Sequence, residues 1–234
     1  MMKKTYGEYL EKGDYHKMID KNWHYYPVYM EKIRLIENFL EKNGKWKKIV
    51  DLGCGEGVIV EKFKNKGYNI LGIDSNYKSE NVLNKSITET GFADNSFDTA
   101  LCLDVLEHIS FEEQEKALDE IRRIVKYGGV VVFSLPNMAH LASRFSFFFL
   151  GKPIRTAEIK RHKGERTIAE YLKLIKEKKF AIIKRIGLFP TYPISSIMTY
   201  HFPSKMVLWH RILSKFFGYP NWSAINLIIC KNKK

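Results

Sequence analysis

The feature of this sequence that most constrains its fold is a glycine-rich turn that follows a short apolar run. Residues 48–52 read Lys-Ile-Val-Asp-Leu, and glycines then alternate with other residues at Gly53, Gly55 and Gly57. The run predicts a strand, and the pattern of residues 58–66 predicts a helix after the turn. In open α/β sheets such a first turn lets the backbone approach a ligand at the carboxyl end of the strand. The segment therefore predicts a strand, a ligand-binding turn and a helix.

Further apolar runs alternate with helical patterns along the chain. They predict strands over residues 69–74, 97–103, 129–135, 180–188 and 224–230. Helices are predicted over residues 28–43, from a capping box of Ser110 and Glu113 to the glycine pair at 128–129, and over residues 168–179 after a capping box of Thr167 and Glu170. Strands that alternate with helices imply an α/β fold with a doubly wound, mainly parallel sheet.

Length and cysteine content fit one domain in a reducing compartment. A chain of 234 residues can bury a sizeable core without disulfides. Its three cysteines, Cys54, Cys102 and Cys230, are odd in number, and each lies in or beside an apolar run. Residues 1–13 lack an apolar signal core, and no run reaches the roughly 20 apolar residues that a spanning helix needs. We therefore expect a cytoplasmic protein that does not span a membrane.

The net charge of +13 is compatible with nucleic acid or anionic lipid as a partner. Most of the basic residues are lysines scattered among glutamates, which favours a solvated lysine-rich surface. Denser basic clusters occur at residues 45–48, 160–163 and 231–234, but none is interleaved with aromatic residues as in an RNA-stacking surface. Nucleic acid is therefore not the expected partner, and peripheral contact with anionic lipid stays open.

Two classes of cofactor are compatible with the glycine turn. Dinucleotide sites follow G-x-G-x-x-G, whereas S-adenosylmethionine sites commonly have D/E-x-G-x-G-x-G. After Gly53 and Gly55 the dinucleotide pattern requires a small residue at position 58, where this chain has Val58. Asp74, at the end of the second predicted strand, could accept hydrogen bonds from both hydroxyls of a ribose, or could cap the turn at residues 74–76. The spacing of the glycines favours S-adenosylmethionine.

Longer stretches resemble a known family. Residues 92–98 read Phe-Ala-Asp-Asn-Ser-Phe-Asp, residues 103–109 read Leu-Asp-Val-Leu-Glu-His-Ile, and residues 124–129 and 134–137 continue the likeness. Over about residues 46–137 the chain resembles the class I S-adenosylmethionine-dependent methyltransferases of the ubiquinone-biosynthesis-like, methyltransferase 11/23 type. The resemblance implies a Rossmann-like, seven-stranded sheet with an antiparallel last strand. It also implies S-adenosyl-L-methionine as cofactor and S-adenosyl-L-homocysteine as product.

The same resemblance implies which residues hold the cofactor. Those around its methionine part are Asp51, Gly53, Cys54, Gly55 and Gly57. Asp74 would hold the ribose, with Ser75 at its edge. The acid that binds adenine in the family is replaced here by Ser86, with Ile87 beside it, and a hydroxyl binds an amino group more weakly than a carboxylate does. Asp51 is costly to bury without partners, which would be backbone amides of the turn or the ammonium group of the cofactor.

The end of the fourth predicted strand is expected to hold the reacting groups. Leu103 and Asp104 would lie close to the sulfonium and the acceptor. His108 is the candidate proton carrier, because a pKa near 6.5 suits proton transfer at neutral pH, and its alternative role is to fix the turn. Glu107 is expected to be solvated or to orient the helix. We expect no metal site, since the seven histidines are dispersed along the chain and no Cys-x-x-Cys occurs.

The chain is interpreted as one domain in three parts. Residues 1–44 form an N-terminal helical cap, residues 45–137 the cofactor-binding core, and residues 138–234 complete the sheet and carry an apolar, basic helical insert. The aromatic residues that could cover the cofactor are Tyr15, Trp23, Tyr25 and Tyr26. Residues 205–217 predict an amphipathic helix that covers the core or an acceptor pocket. Its predicted apolar side comprises Met206, Leu208, Trp209, Ile212, Leu213, Phe216 and Phe217, and its polar side His210, Arg211, Ser214 and Lys215.

The acceptor is the least constrained part of the prediction. No N/D-P-P-Y/F word follows the fourth strand, and no cysteine lies in a nucleophilic motif beside a proline, which argues against methylation of nucleic-acid bases. The apolar insert favours core packing, with a lipid face as the alternative. We expect direct in-line transfer to a small-molecule or lipid-like acceptor. The alternatives are an RNA or protein methyltransferase and a non-catalytic cofactor-binding scaffold, and the oligomeric state stays open.

Overall fold

A seven-stranded sheet organises the fold. The computed structural model describes residues 4–5, 16–155 and 160–234. Its strands are β1 (Lys4–Thr5), β2 (Lys48–Leu52), β3 (Asn69–Asp74), β4 (Tyr77–Lys78), β5 (Val82–Asn84), β6 (Phe97–Leu103), β7 (Val125–Pro136), β8 (Phe180–Leu188) and β9 (Ile225–Asn232). Its α-helices are α1 (Tyr26–Asn43), α2 (Val58–Asn65), α3 (Phe111–Ile124), α4 (Leu141–Leu150), α5 (Ile168–Glu177), α6 (Pro193–His201) and α7 (Val207–Phe216).

The strand order of the main sheet is β5-β3-β2-β6-β7-β9-β8. Neighbours from β5 to β7 are parallel, and β9 runs antiparallel to both β7 and β8. The predicted Rossmann-like α/β fold, with its mainly parallel seven-stranded sheet and antiparallel last strand, is confirmed. The short strands β1 and β4 form a separate antiparallel pair that the sequence did not predict.

Helices cover both faces of the sheet because the side chains of each strand alternate between them. Ile49 of β2 packs on one face with α1 and α2, through residues such as Ile36 and Phe63. Val50, the next residue, packs on the other face with α3 and α5, where Leu118 is fully buried. Both capping boxes form as predicted, at the first residues of α3 and α5. The three cysteines are free.

One helix end differs from the prediction. The pattern places the end of α3 at the glycine pair 128–129, whereas α3 ends at Ile124 and β7 begins at Val125. Val125 already pairs with Phe97 of β6. In addition, the side-chain amide of Asn232 donates to the carbonyl oxygens of Arg122 and Val125. These distant partners favour the extended backbone, so the glycines lie within the strand.

The prediction for α7 is wrong in which side chains face inwards. Leu208 is 63% exposed, whereas His210, assigned to the polar side, is 2% exposed. His210 Nε2 lies 2.8 Å from the hydroxyl of Thr199, and Ser214 Oγ donates to Glu31 of α1 at 2.7 Å. Hydrogen bonds to α1 and α6 therefore fix the rotation of α7 about its own axis. Much of its apolar side stays uncovered. Within the described residues, no helix is both long and apolar enough to cross a bilayer.

A buried glutamine connects α3 to two loops at the carboxyl end of the sheet. Gln114 is fully buried, and its Nε2 donates to the carbonyl oxygens of Leu106 at 2.9 Å and Gly164 at 2.6 Å. Its Oε1 accepts from Arg166 Nε at 2.7 Å. One side chain thus satisfies two buried carbonyl groups and one partly buried N–H group, and holds residues 106–109 against residues 164–166.

We predict that Gln114→Leu lowers the free energy of unfolding by about 1–3 kcal/mol, because buried carbonyl groups lose their donor. Urea denaturation measures the loss. Glu112→Gln, on the exposed side of the same helix, is the control and should change the stability by less than about 0.5 kcal/mol. Equal stability of the Gln114→Leu variant and the wild type would contradict this role of the amide.

Candidate active site

A cavity of about 620 Å³ lies at the carboxyl ends of β2, β3 and β6. The predicted cofactor-binding residues that line it are Asp51, Gly53, Cys54, Gly55, Asp74, Ser75, Ser86, Ile87 and Leu103. Both predicted catalytic residues, Asp104 and His108, line it as well. Gly57 does not. It has a φ of 72° at the start of α2, and a Cβ there would come within 2.7 Å of Val82, so this glycine serves the packing of the turn.

The glycine turn is bonded to the end of β3. The backbone N–H groups of Gly53 and Cys54 donate to the carbonyl oxygen of Ile73, at 2.8 and 3.0 Å. A Cβ at Gly53 would lie 2.6 Å from a methyl group of Val105, and its φ of 70° also favours glycine. The N–H groups of Gly53 and Cys54 are therefore directed to β3. Of the two partners expected for Asp51, the ammonium group of the cofactor remains.

Asp74 combines the two roles that the sequence left open. Its Oδ1 accepts from the N–H of Asn76 at 2.8 Å, which is the turn-capping role. Its Oδ2 accepts from the N–H of Gly55 at 2.9 Å, and the side chain lines the cavity. An ionised carboxylate has about four acceptor sites, so hydroxyl groups of a ribose in the cavity can also donate to it.

Asp51 is a buried carboxyl group in the same cavity, 4% exposed. Burial, together with the negative charge of Asp74, raises the pKa of Asp51 to about 7. A cation beside this carboxyl group would favour its ionised form. Asp51 is therefore suited to hold an ammonium group.

Ser86 and Ile87 border the cavity beyond β5. The hydroxyl group of Ser86 lies 2.8 Å from that of Thr88, which also lines the cavity, and Ile87 is 6% exposed. An apolar contact surface from Ile87 with two hydroxyl groups beside it can hold an aromatic base without a carboxylate.

At the other end of the cavity, the partly exposed carboxylate of Asp104 forms an ion pair with the buried Lys32. The sequence analysis did not identify Lys32. Lys32 Nζ and Ser134 Oγ both donate to the carboxylate of Asp104. Burial alone would raise the pKa of Asp104, but the ammonium of Lys32 and these hydrogen bonds hold it below its ordinary value. Asp104 therefore stays ionised, with its backbone at a φ of 55° that turns the chain out of β6.

His108 lies beside His162, with the ring centroids 4.8 Å apart and the planes nearly perpendicular. Its Nδ1 is 3.0 Å from the carbonyl oxygen of Arg161, which only accepts, so Nδ1 carries the proton in the neutral ring. Nε2 consequently keeps a lone pair. Burial, and then the charge of His162, lowers the pKa of His108, so the ring is neutral at pH 7.

Glu107 is 2% exposed, so the expectation that it is solvated is wrong. Its Oε2 accepts no hydrogen bond from any residue that the structure describes. Burial and the charge of Asp104 raise its pKa well above the ordinary value. Ligand atoms of Glu107, His108 and His162 lie within 4.8 Å of one another, an arrangement that can pass a proton or hold a divalent cation. Folding thus brings together histidines that are dispersed in the sequence.

The segment before α1 covers part of the cavity. Trp23 and Tyr25 line it as predicted, whereas Tyr26 only begins α1 and Tyr15 lies outside the described residues. The backbone N–H groups of His16 and Lys17 both donate to the buried carboxylate of Glu56, in the glycine turn. The covering segment is therefore fastened to the same turn that forms one wall of the cavity.

Part of the chain matches one family model. Residues 50–133 match the family model described as methyltransferase domain. A ubiquinone biosynthesis O-methyltransferase of Paraburkholderia phymatum is 29% identical over 140 residues, which cover 52% of this chain and 59% of the relative. The match thus spans about three-fifths of that relative's length.

Solved structures agree with this fold. A Pyrococcus horikoshii protein has a TM-score of 0.61 at 16% identity, covering 97% of this chain and 100% of its own. A 1,6-didemethyltoxoflavin-N1-methyltransferase of Burkholderia thailandensis, solved with S-adenosylhomocysteine, has a TM-score of 0.59 at 13% identity. That alignment covers 97% of this chain and 84% of the other.

The residues of the cavity fit S-adenosylmethionine. Asp51 offers a carboxylate for its ammonium group, Asp74 offers acceptors for its ribose, and Ile87 offers an apolar surface for its base. The close approach of Val105 to Gly53 leaves no space for a larger residue in the turn. The family's cofactor and this chain's side chains are therefore compatible.

We predict that affinity for S-adenosylhomocysteine, which keeps the ammonium group, falls about tenfold per pH unit from pH 6.5 to pH 5. In the free protein Asp51 has a pKa of about 7 and is protonated below it, so binding the ammonium must release a proton. Titration calorimetry measures the affinity. Asp51→Asn should bind weakly with little dependence on pH, and equal affinity of the wild type at pH 5 and pH 6.5 would contradict the assignment.

Proposed function

We propose that this chain, which contains a class I S-adenosylmethionine-dependent methyltransferase domain, transfers a methyl group by direct in-line displacement to a small-molecule or lipid-like acceptor. The observation that carries the proposal is the arrangement of Asp104, Glu107, His108 and His162 in the same cavity as the glycine turn and Asp74. Cofactor-holding and proton-handling groups therefore share one cavity. That the protein is cytoplasmic stays a prediction.

The bound cofactor supplies a methyl group on an activated sulfonium. Asp51 and Asp74 hold and orient it, and the ionised Asp104 presents negative charge at the end of β6. Nε2 of the neutral His108 can accept the proton that an acceptor hydroxyl or amine loses as it is methylated. The aromatic side chains of Trp23 and Tyr25 line this space and can shield a bound cofactor from water. Proximity and orientation supply most of the acceleration, so no covalent intermediate with the protein is required.

Two observations indicate the chemistry of the acceptor. The relative from Paraburkholderia is an O-methyltransferase of ubiquinone biosynthesis, which favours a hydroxyl group as the acceptor. The cavity is also bordered by apolar residues such as Ile109, Pro136 and Ile225. The partner that we propose is therefore a small or lipid-like molecule, with peripheral contact to anionic lipid, rather than nucleic acid.

We predict that the protein transfers labelled methyl groups from the donor to the organic-soluble fraction of a cell extract. His108→Gln should lower the turnover rate by about 10²–10⁴-fold, because proton transfer loses its base, while S-adenosylhomocysteine affinity stays within about twofold. At a donor concentration that stays saturating at each pH, the wild-type rate should fall on the acid side with an apparent pKa below 6.5, since the environment of His108 lowers its pKa.

Three other outcomes would contradict the proposal. Label that is lost after nuclease or protease treatment would identify an RNA or protein acceptor. Binding of the cofactor without turnover in any fraction would favour a non-catalytic scaffold. Full activity of the His108→Gln variant would show that His108 only fixes the turn.

A further inference from the structure

The insert carries large apolar side chains that no described residue covers. The most exposed of them lie at the end of α4, which we call the α4 tip: Phe147, Phe148, Phe149 and Leu150, at 62%, 81%, 72% and 68% exposure. Ile194 of α6 and Leu208 of α7 are 80% and 63% exposed. Exposed apolar residues on this scale mark an interaction surface, since isolated ones are ordinary but contiguous patches are rare.

The three helices start or end at one edge of the sheet. α4 follows the carboxyl end of β7, α6 follows that of β8, and α7 precedes β9, which runs in the opposite direction. The N–H of Leu141 donates to the carbonyl oxygen of Trp222, and the N–H of Ala142 donates to Thr191 Oγ1. These bonds join the base of α4 to the segments beside α6 and α7. The site cavity lies at the same edge, since Ile225 at the start of β9 lines it.

The shape of the α4 tip indicates what covers it. Four consecutive helical residues point in four directions about 100° apart, so the tip is apolar on all sides rather than along one stripe. In α4, all of whose residues are described, only Ser143 is buried. A protein partner would contact one stripe, whereas a fluid apolar medium surrounds the whole tip. The helix has 10 residues, about 15 Å, which is enough to enter one leaflet but not to cross a bilayer.

The charge around these helices is complementary to an anionic surface. Residues 138–155 and 189–222 contain no aspartate or glutamate. They contain six lysines and arginines, which are Arg144, Lys152, Arg155, Lys205, Arg211 and Lys215. Arg155 and Arg211 also pair with Glu165 and Glu31 of neighbouring segments, so the excess of positive charge rests mainly on the other four. Basic residues beside exposed aromatic ones are the composition of interfacial membrane-binding segments, in which cations lie at the headgroups and apolar side chains enter the acyl boundary.

We propose that the α4 tip inserts into one leaflet of an anionic bilayer, with the exposed apolar side chains of α6 and α7 lying at its surface. The site cavity lies at the same edge of the sheet as these helices, so the proposed attachment brings it close to an apolar acceptor in the membrane. This use of the surface rests on the proposed function. The attachment itself needs neither cofactor nor turnover, so it is measured independently of both.

Co-sedimentation with vesicles tests the attachment. The full chain should bind vesicles of phosphatidylcholine with phosphatidylglycerol, and bind less to pure phosphatidylcholine or at high salt. The double variant Phe148→Ser with Phe149→Ser should need about tenfold more lipid for half-maximal binding, because two inserted rings are lost. The matched control is Trp46→Ser with Tyr127→Ser. It removes aromatic residues of 91% and 75% exposure near the amino ends of β2 and β7, on the opposite side of the sheet from the α4 tip. It should bind like the wild type.

Two results would overturn the proposal. One is that the wild-type protein does not sediment with anionic vesicles at low salt. This result overturns the proposal also if the wild type forms a dimer that the double variant does not form. The other is equal vesicle binding by the wild type and the double variant. Thermal unfolding and S-adenosylhomocysteine affinity of both variants serve as folding controls. Loss of vesicle binding with unchanged cofactor affinity therefore separates this inference from the proposed function.

Discussion

The site depends on the hydrogen bonds that join the glycine turn after β2 to the end of β3. Through them the N–H groups of Gly53 and Cys54 bond to Ile73, and that of Gly55 bonds to Asp74. Because β2 and β3 are parallel neighbours, these bonds bring two strand ends together and leave the carboxyl groups of Asp51 and Asp74 in one cavity. Val105, packed against Gly53, begins the short turn that carries His108. The positions of the cofactor and acceptor groups are thus linked through one backbone segment.

The acidic side chains of the cavity determine which ligand suits it. Asp51, Asp74, Asp104 and Glu107 all line it, and all four are acidic. Lys32 pairs with Asp104, whereas the pKa values of Asp51 and Glu107 are raised because burial penalises their charge. A ligand with an ammonium and a sulfonium group stabilises such a site, while the phosphates of a dinucleotide would be repelled by it. The electrostatics therefore support the cofactor that the glycine spacing favoured.

Local patterns predicted most of the fold but only part of the site. Strands β2, β3, β6 and β8 have their predicted limits, since apolar runs and neighbouring turns act over a few residues. Lys32 could not be identified in this way, because it lies 72 residues from Asp104 and looks like any lysine of an amphipathic helix. His162 meets His108 only through the loop that Gln114 holds. The rotation of α7 is likewise set by bonds to distant residues, such as that between Ser214 and Glu31, rather than by its own apolar pattern.

The central claim, that this cavity binds S-adenosylmethionine, is tested most directly by thermal unfolding with added ligands. A ligand that binds only the native state raises the unfolding temperature by mass action. S-adenosylmethionine should raise it for the wild type, and Asp74→Ala should reduce the shift, because about 1.5–3 kcal/mol of hydrogen bonding to the ribose is lost. NAD at the same concentration should leave the temperature unchanged. Equal stabilisation by NAD, or an undiminished shift in a folded Asp74→Ala variant, would contradict the account.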